Sequence, residues 1–76
     1  MFRIMPVAKY DYGEFRDLAL NMAMVDVIKP SGTHRCELQS DECFWWYVNA
    51  PLEEVVEFLS SDCHSFTQWK ELMTKG

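Results

Sequence analysis

His34, Cys36 and Cys43 form the one group of side chains in this sequence that resembles a metal site, and Cys63 and His64 could complete the ligand set. In a symmetric hairpin, Cys36 would lie directly across from Cys43, with His34 two residues along on the same face. Zinc accepts such ligands, but the chain has no Cys-x-x-Cys clasp, and single cysteines commonly pack as small hydrophobic residues. We therefore expect no metal ion and no cofactor.

The same side chains are the candidate nucleophiles and bases of an enzyme. Cys63 and His64 are adjacent in sequence, which does not orient a thiol toward an imidazole, and no nucleophile turn or phosphate-binding loop surrounds them. A paired-carboxylate mechanism needs two acids in a pocket, whereas Glu53, Glu54 and Glu57 are predicted to face solvent. We therefore predict that the protein is not an enzyme, and we assign no catalytic residue.

The negative charge of the chain is concentrated in its middle third. Residues 37–62 carry seven acidic side chains and no lysine or arginine, whereas residues 1–35 and 63–76 each sum to +1, which gives the net charge of −5. The aromatic run Phe44-Trp45-Trp46-Tyr47 lies in the same third. A one-sided negative field attracts a basic partner, and large aromatic side chains anchor interfaces. Direct binding to nucleic acid is disfavoured, because phosphates require clustered positive charge.

Length and composition predict one compact domain, residues 1–76. An apolar fraction of 49% argues against disorder. No apolar segment is long enough for a bilayer, and residues 1–9, which Pro6 interrupts, lack the apolar region of a secretory signal. An odd number of cysteines fits a reducing compartment better than a disulfide scaffold. We therefore predict a cytoplasmic protein with no membrane association.

The first half of the chain is predicted to contain strands and one helix. Residues 2–8 are predicted to form a strand, and Pro6, which lacks an N–H, is expected on a sheet edge. Residues 12–24 follow a capping-box-like start with apolar residues at helical spacing, which predicts a helix. Leu18, Leu20 and Met22 also alternate as they would in a strand, so residues 12–28 could instead belong to a hairpin. A turn is predicted at residues 29–32.

A hairpin of residues 33–38 and 42–49 is predicted at the centre of the sheet, with its turn at residues 39–41. In the second strand, Phe44 and Trp46 would face one side, and Trp45 and Tyr47 the other. Two interpretations remain open at this point. Either both faces belong to the core, or Trp45 and Tyr47 stay partly exposed as interface anchors.

Two helices are predicted to follow the hairpin. The first begins near Pro51, and its apolar stripe is expected to be buried: Leu52, Val55, Val56 and Leu59. Its acidic side chains are expected on the opposite face: Glu53, Glu54 and Glu57. The second begins after Ser65 with an apolar stripe of Phe66, Trp69 and Met73. The predicted fold class is α+β, with a small, mainly antiparallel sheet of three to four strands packed against two or three helices.

The predicted function is non-catalytic binding of another protein with a basic surface. The candidate partner-binding residues combine negative charge with aromatic surface: Asp41, Glu42, Trp45, Tyr47, Glu53, Glu54 and Glu57. A small intracellular inhibitor or adaptor fits this description. One version is an inhibitor of the kind that mobile genetic elements encode, which imitates nucleic acid and blocks a nucleic-acid-binding protein. The alternatives are a self-associating protein with Trp45 and Tyr47 at a two-fold axis, and a zinc-stabilised module.

Overall fold

The computed structural model describes residues 1–41 and 43–75, and in them the protein forms five strands and two helices. The elements are β1 (Phe2–Ala8), β2 (Arg16–Asn21), β3 (Val27–Ser31), β4 (Arg35–Ser40), β5 (Cys43–Val48), α1 (Leu52–Ser60) and α2 (Phe66–Lys75). One 3-10 turn, Met22–Met24, joins β2 to β3. The strands make one antiparallel sheet in the order β2-β1-β5-β4-β3. The predicted α+β class is confirmed, but the described residues form five strands rather than the predicted three to four, because the sequence analysis does not predict both β2 and β3 as strands.

The predicted helix over residues 12–24 is wrong, because this segment contains β2 and the 3-10 turn. β2 pairs with β1 so that Leu18 lies opposite Met5 and Leu20 lies opposite Arg3. Leu20 is buried, whereas Ala19 between them is exposed. The alternation of Leu18, Leu20 and Met22 therefore predicts this segment correctly, and the helical spacing does not. Pairing with β1 is a tertiary interaction that local propensity does not include.

The expectation that Pro6 lies on a sheet edge is also wrong, since β1 lies between β2 and β5. β1 pairs with β5 only at Val7 and Ala8, and the two strands separate before Pro6. The Pro6 carbonyl accepts a hydrogen bond from Asn49 N–H at 3.0 Å, so the backbone of Pro6 faces the place where this pairing ends. A proline is tolerated there because no partner carbonyl requires its missing N–H.

The predicted hairpin is present as β4 and β5, but its register and the preceding turn differ from the prediction. Cys36 lies opposite Val48, and Cys43 lies opposite Ser40, so the two cysteines are not cross-strand partners. The strand β3 continues to Ser31, and the turn that follows comprises residues 32–34. This extension places a proline within β3, which is possible because β3 is an edge strand.

The core lies between one face of the sheet and the two helices. Its buried side chains are Met5, Val7, Leu20, Cys36, Leu38, Val48, Ala50, Val55, Phe58, Phe66 and Trp69. Phe58 of α1 meets Phe66 and Trp69 of α2 with ring centroids 5.4 Å and 5.9 Å apart. An ion pair between Glu54 and Lys70 joins the same two helices near the surface.

The helix α1 is confirmed, but its buried face is rotated from the predicted stripe. Val55 and Phe58 are fully buried, whereas Val56 is 50% exposed. Successive helical residues are roughly 100° apart, so a buried Phe58 moves the centre of the stripe away from Val56. In α2, Phe66 and Trp69 are buried as predicted, but Met73 in the last turns is exposed.

Arg3 is a buried charged residue, 7% exposed, and it joins β1 to the end of α1. Its Nη1 donates to the carbonyl oxygens of Phe58 at 3.2 Å and Cys63 at 2.9 Å. Its Nη2 donates to those of Ser61 at 3.0 Å and Leu59 at 3.5 Å. The last carbonyls of a helix lack intrahelical partners and carry partial negative charge, which the guanidinium satisfies.

We expect Arg3→Met to destabilise the protein by about 3 kcal/mol, because buried carbonyl oxygens lose a charged donor. Arg16→Met is the matched control, since the Arg16 side chain is 77% exposed and should change the free energy of unfolding by less than about 0.5 kcal/mol. Urea titrations followed by circular dichroism measure both. Equal stability of the two variants would contradict the role of Arg3.

Val55→Asp and Val56→Asp test the orientation of α1. We expect Val55→Asp to prevent folding, because an unpaired buried charge costs several kcal/mol, roughly the whole stability of a small domain. Val56→Asp should leave the urea midpoint nearly unchanged, because its side chain is half exposed. The reverse order of stabilities would show that the other face of the helix is buried.

Candidate protein-binding surface

A bulge in β5 decides which of its aromatic side chains reach the surface. Between two successive cross-strand pairs, β5 has one residue more than β4, and that residue is Trp45. An extra residue reverses the alternation of side chains along a strand. Phe44 and Tyr47 therefore share one face, and their ring centroids are 4.8 Å apart. The predicted grouping of Trp45 with Tyr47 is wrong for this reason.

The two tryptophans are half-buried and pack against the core. Lys9 lies beside both of them: its Nζ donates to the Trp45 carbonyl oxygen at 2.9 Å and lies 3.9 Å from the centroid of the Trp46 ring. The Trp46 Nε1 atom is buried and has no hydrogen-bond partner among residues 1–41 and 43–75. Trp45, predicted as a partner-binding residue, thus contributes mainly to packing.

Phe44 and Tyr47 lie on the face of the sheet that α1 does not cover. Tyr47 pairs with Glu37, which is one residue out of phase with the buried Leu38 and therefore faces away from the core. Phe44 is 40% exposed and Tyr47 is half-buried. Asp41 is exposed in the turn that joins the two strands. We call Glu37, Asp41, Phe44 and Tyr47 the hairpin face.

Asp41, which follows β4, contacts Asp26 just before β3. Asp41 has a φ of 56°, a left-handed conformation that aspartate tolerates better than most residues. Its backbone N–H donates to the Asp26 carboxylate at 2.6 Å, and the Asp26 N–H donates to the Gln39 carbonyl oxygen at 2.9 Å. The negative charge of Asp26 is therefore added to the acidic end of the hairpin face.

The three predicted acidic residues of α1 do not join the hairpin face. Glu53 and Glu57 are exposed, and Glu54 is half-buried in its ion pair with Lys70. Their helix packs on the opposite face of the sheet through Val55 and neighbouring core residues. Glu42, also predicted as a partner-binding residue, lies outside the described residues. The structure therefore separates two acidic surfaces that the sequence analysis combines.

Phe44, Glu37 and Asp26 are surface residues that the sequence analysis did not select. Phe44 was expected on the side of Trp46, and only the bulge transfers it to the side of Tyr47. The charge count over residues 37–62 already included Glu37, but no local pattern identified its partner strand. Asp26 is 15 residues from Asp41, and no local pattern signals a contact between them.

The cysteines are dispersed rather than gathered around one point. In residues 1–41 and 43–75, no three histidine, cysteine, aspartate or glutamate side chains are close enough to hold a metal ion together. Burial raises the pKa of the Cys36 thiol from 9.0 to about 12, and the Glu37 carboxylate adds to the effect. Because the thiolate is the nucleophile and the metal ligand, Cys36 is unsuited to both roles at neutral pH.

Comparison with known proteins assigns no family, because no family model, no curated protein and no solved structure matches this chain. Neither of the described helices is long and apolar enough to cross a membrane. The geometry and charge of the described surface are therefore the basis on which a function can be argued.

We expect iodoacetamide to label Cys43 quickly and Cys36 hardly at all in the folded protein between pH 7 and 9. With a pKa of about 12, about one Cys36 thiol in ten thousand is ionised at pH 8, and the side chain is fully buried. Cys43 is exposed. Mass spectrometry of peptides after a labelling pulse measures each site. Unfolding in urea is the control, since it should make both thiols reactive, whereas equal labelling of the folded protein would contradict the burial of Cys36.

Proposed function

We propose that the protein is a non-catalytic binding module whose hairpin face docks on a basic surface of another protein. The observation that supports this most is the Phe44–Tyr47 pair, which lies on the face of the sheet that the helices do not cover. Lys29 lies opposite Glu37 on this face. The negative charge of the face is therefore concentrated at the turn, at Asp41 and Asp26. Aromatic residues at the centre of an interface supply most of its binding energy, and charged groups at the rim select the partner.

The backbone contacts of the hairpin face support the same proposal. Tyr47 belongs to the central strand of the sheet, and Asp41 is hydrogen-bonded to the Asp26 carboxylate. A surface that is already ordered loses little conformational entropy when a partner binds. Little of the free energy gained by burying the aromatic pair would therefore be lost to ordering of the surface.

The exposed acids of α1 have a different role in this proposal. Glu53 and Glu57 lie on the other side of the sheet and would not touch a partner that covers the hairpin face. They add to the negative field, which extends about 8 Å at physiological ionic strength. Their contribution is to the rate at which a basic partner approaches rather than to the docked contact.

The proposed partner class is a protein with a basic surface, and a nucleic-acid-binding protein is the form of it that the charge favours. A chain segment with seven carboxylates and no basic residue is attracted to the lysines and arginines that contact phosphates. An inhibitor or adaptor that occupies such a surface needs no active site of its own. We place this interaction in the cytoplasm, where thiols such as the three unpaired cysteines stay reduced.

The test begins with tagged full-length protein as bait in an extract of the native host. We expect the bait to capture a protein with an isoelectric point above about 9. The double variant Phe44→Ala/Tyr47→Ala should weaken binding of that protein more than tenfold, mainly through faster dissociation, because it removes the desolvated anchors. Tyr12→Ala is the matched control, since Tyr12 is 85% exposed and lies outside the hairpin face.

Two charge variants separate contact from attraction in the same binding assay. Glu37→Gln/Asp41→Asn and Glu53→Gln/Glu57→Gln both change the net charge from −5 to −3. The first pair should slow association and speed dissociation, whereas the second should only slow association, and only at low salt. Equal dissociation rates for the wild type and the aromatic double variant would exclude the hairpin face as the binding site.

A further inference from the structure

The strand β2 is an edge of the sheet whose outward side is open. β2 has β1 on one side and no strand of the described residues on the other. Proteins usually protect such edges with proline, lysine or a bulge. The opposite edge strand, β3, contains both Lys29 and Pro30. In β2, with the sequence RDLALN, the only charged side chains are those of the first two residues, Arg16 and Asp17, and Leu18–Asn21 contains neither a charge nor a proline.

The backbone groups that point outward from β2 can be assigned from observed hydrogen bonds. Met22 N–H donates to the Met1 carbonyl oxygen at 2.8 Å, so Met22 faces β1. In an antiparallel pair, alternate residues face the partner strand, so Leu20 and Leu18 also bond to β1. The N–H and C=O groups of the intervening residues, Asp17, Ala19 and Asn21, therefore point away from the sheet.

The neighbouring strand gives an independent check of this assignment. Ile4 and Pro6 are the partners of Ala19 and Asp17 in β1. Ile4 N–H donates to the His64 carbonyl oxygen at 2.6 Å, and the Pro6 carbonyl oxygen accepts from Asn49 N–H at 3.0 Å. The backbone groups of both residues therefore face away from β2. The pairs that contain Ala19 and Asp17 are thus the non-hydrogen-bonded ones. Among residues 1–41 and 43–75, no second strand pairs with the outward groups of Ala19 and Asp17.

We propose that β2 pairs antiparallel with β2 of a second copy of this chain, which joins the two sheets into one of ten strands. A two-fold axis perpendicular to the sheet keeps the helix-covered faces on the same side. Residues on the same face must then oppose each other. Placing Ala19 opposite Ala19 puts Asp17 opposite Asn21. The Asn21 carbonyl oxygen is the N-cap acceptor of the 3-10 turn, so this register forms four hydrogen bonds: two between the Ala19 residues and two from Asn21 N–H to the Asp17 carbonyl oxygen.

The side chains of β2 suit this register on both faces of the sheet. On the helix-covered face, Leu18, which is 38% exposed, contacts Leu20 of the second copy and becomes more buried. On the other face, the two Ala19 side chains meet with Ile4 beside them, and Ile4 is 37% exposed. Asp17 meets an amide instead of a like charge, so no charge repulsion opposes the pairing.

The distribution of charge favours a second copy at this edge. Two copies carry −5 each and repel one another wherever their acidic residues approach. The acidic segment 37–62 comprises most of β4, all of β5 and α1, whereas β2 and its surroundings belong to residues 1–35, which sum to +1. β2 itself carries one positive and one negative side chain, Arg16 and Asp17, so a like-charged copy meets little net repulsion at this edge, and pairing there leaves the hairpin face free.

Sedimentation equilibrium of the full chain tests this proposal. We expect the wild type to shift with concentration from a monomer of 9.0 kDa to a dimer of twice that mass. Ala19→Lys should raise the dimer dissociation constant at least tenfold, because two lysines then oppose each other at the axis. Val27→Lys is the matched control: Val27 is 46% exposed on the other edge strand, the charge change is the same, and dimerisation should persist.

A mixture of Ala19→Lys and Ala19→Glu tests the register itself. Each variant alone should be monomeric, and the mixture should form a heterodimer, because opposite charges meet only if residue 19 pairs with itself. Circular dichroism verifies that each variant is folded. A wild type that stays monomeric up to about 1 mM would overturn the proposal. The same conclusion follows if Val27→Lys dissociates the dimer as strongly as Ala19→Lys, or if the mixture stays monomeric.

Discussion

The contact between Arg3 and the carbonyl oxygens at the end of α1 determines how the two layers of this protein fit together. A buried guanidinium is costly unless its donors are satisfied, and here backbone oxygens satisfy them in place of a carboxylate. Those oxygens belong to the last turn of α1 and to the segment that leads to α2. The N–H of the adjacent Ile4 donates to the backbone carbonyl oxygen of His64 in the same segment. One end of β1 therefore fixes where α1 ends and where α2 begins, and this restricts the helices to one face of the sheet.

The helices cover one face of the sheet and leave the other without a helix. The bulge at Trp45 directs both tryptophans of β5 toward the helix-covered face and Phe44 and Tyr47 toward the other. Without the extra residue, strict alternation would leave one tryptophan on the uncovered face and withdraw either Phe44 or Tyr47 from it. With it, both tryptophans pack against the core while Phe44 and Tyr47 remain together outside. Bulges occur often where a strand must redirect a side chain for function. The aromatic pair is therefore a consequence of local backbone geometry as well as of composition.

The parts of the fold that could be predicted are those with a strong local pattern. β1, the β4–β5 hairpin, α1 and α2 follow from alternation, turn residues and helical stripes within a few residues of each other. The rest depends on contacts that are distant in sequence. β2 is a strand because β1 is its neighbour, and Arg3 acts on Phe58, 55 residues away. For the site, the charge count identified the acidic third of the chain, but a single extra residue at Trp45 changed which aromatic side chains are available.

The hairpin face and the β2 edge involve different elements, so one chain can use both at once. If two copies pair through β2, each dimer presents two hairpin faces and carries a charge of 2 × −5 = −10. A partner with two basic sites at the matching separation would then bind the second face at a high effective concentration, with a gain of about 10²–10⁴ in avidity. A partner with one site would gain none. Dimerisation and the geometry of the basic surface would thus act together to select the partner, although neither adds a contact to the hairpin face itself.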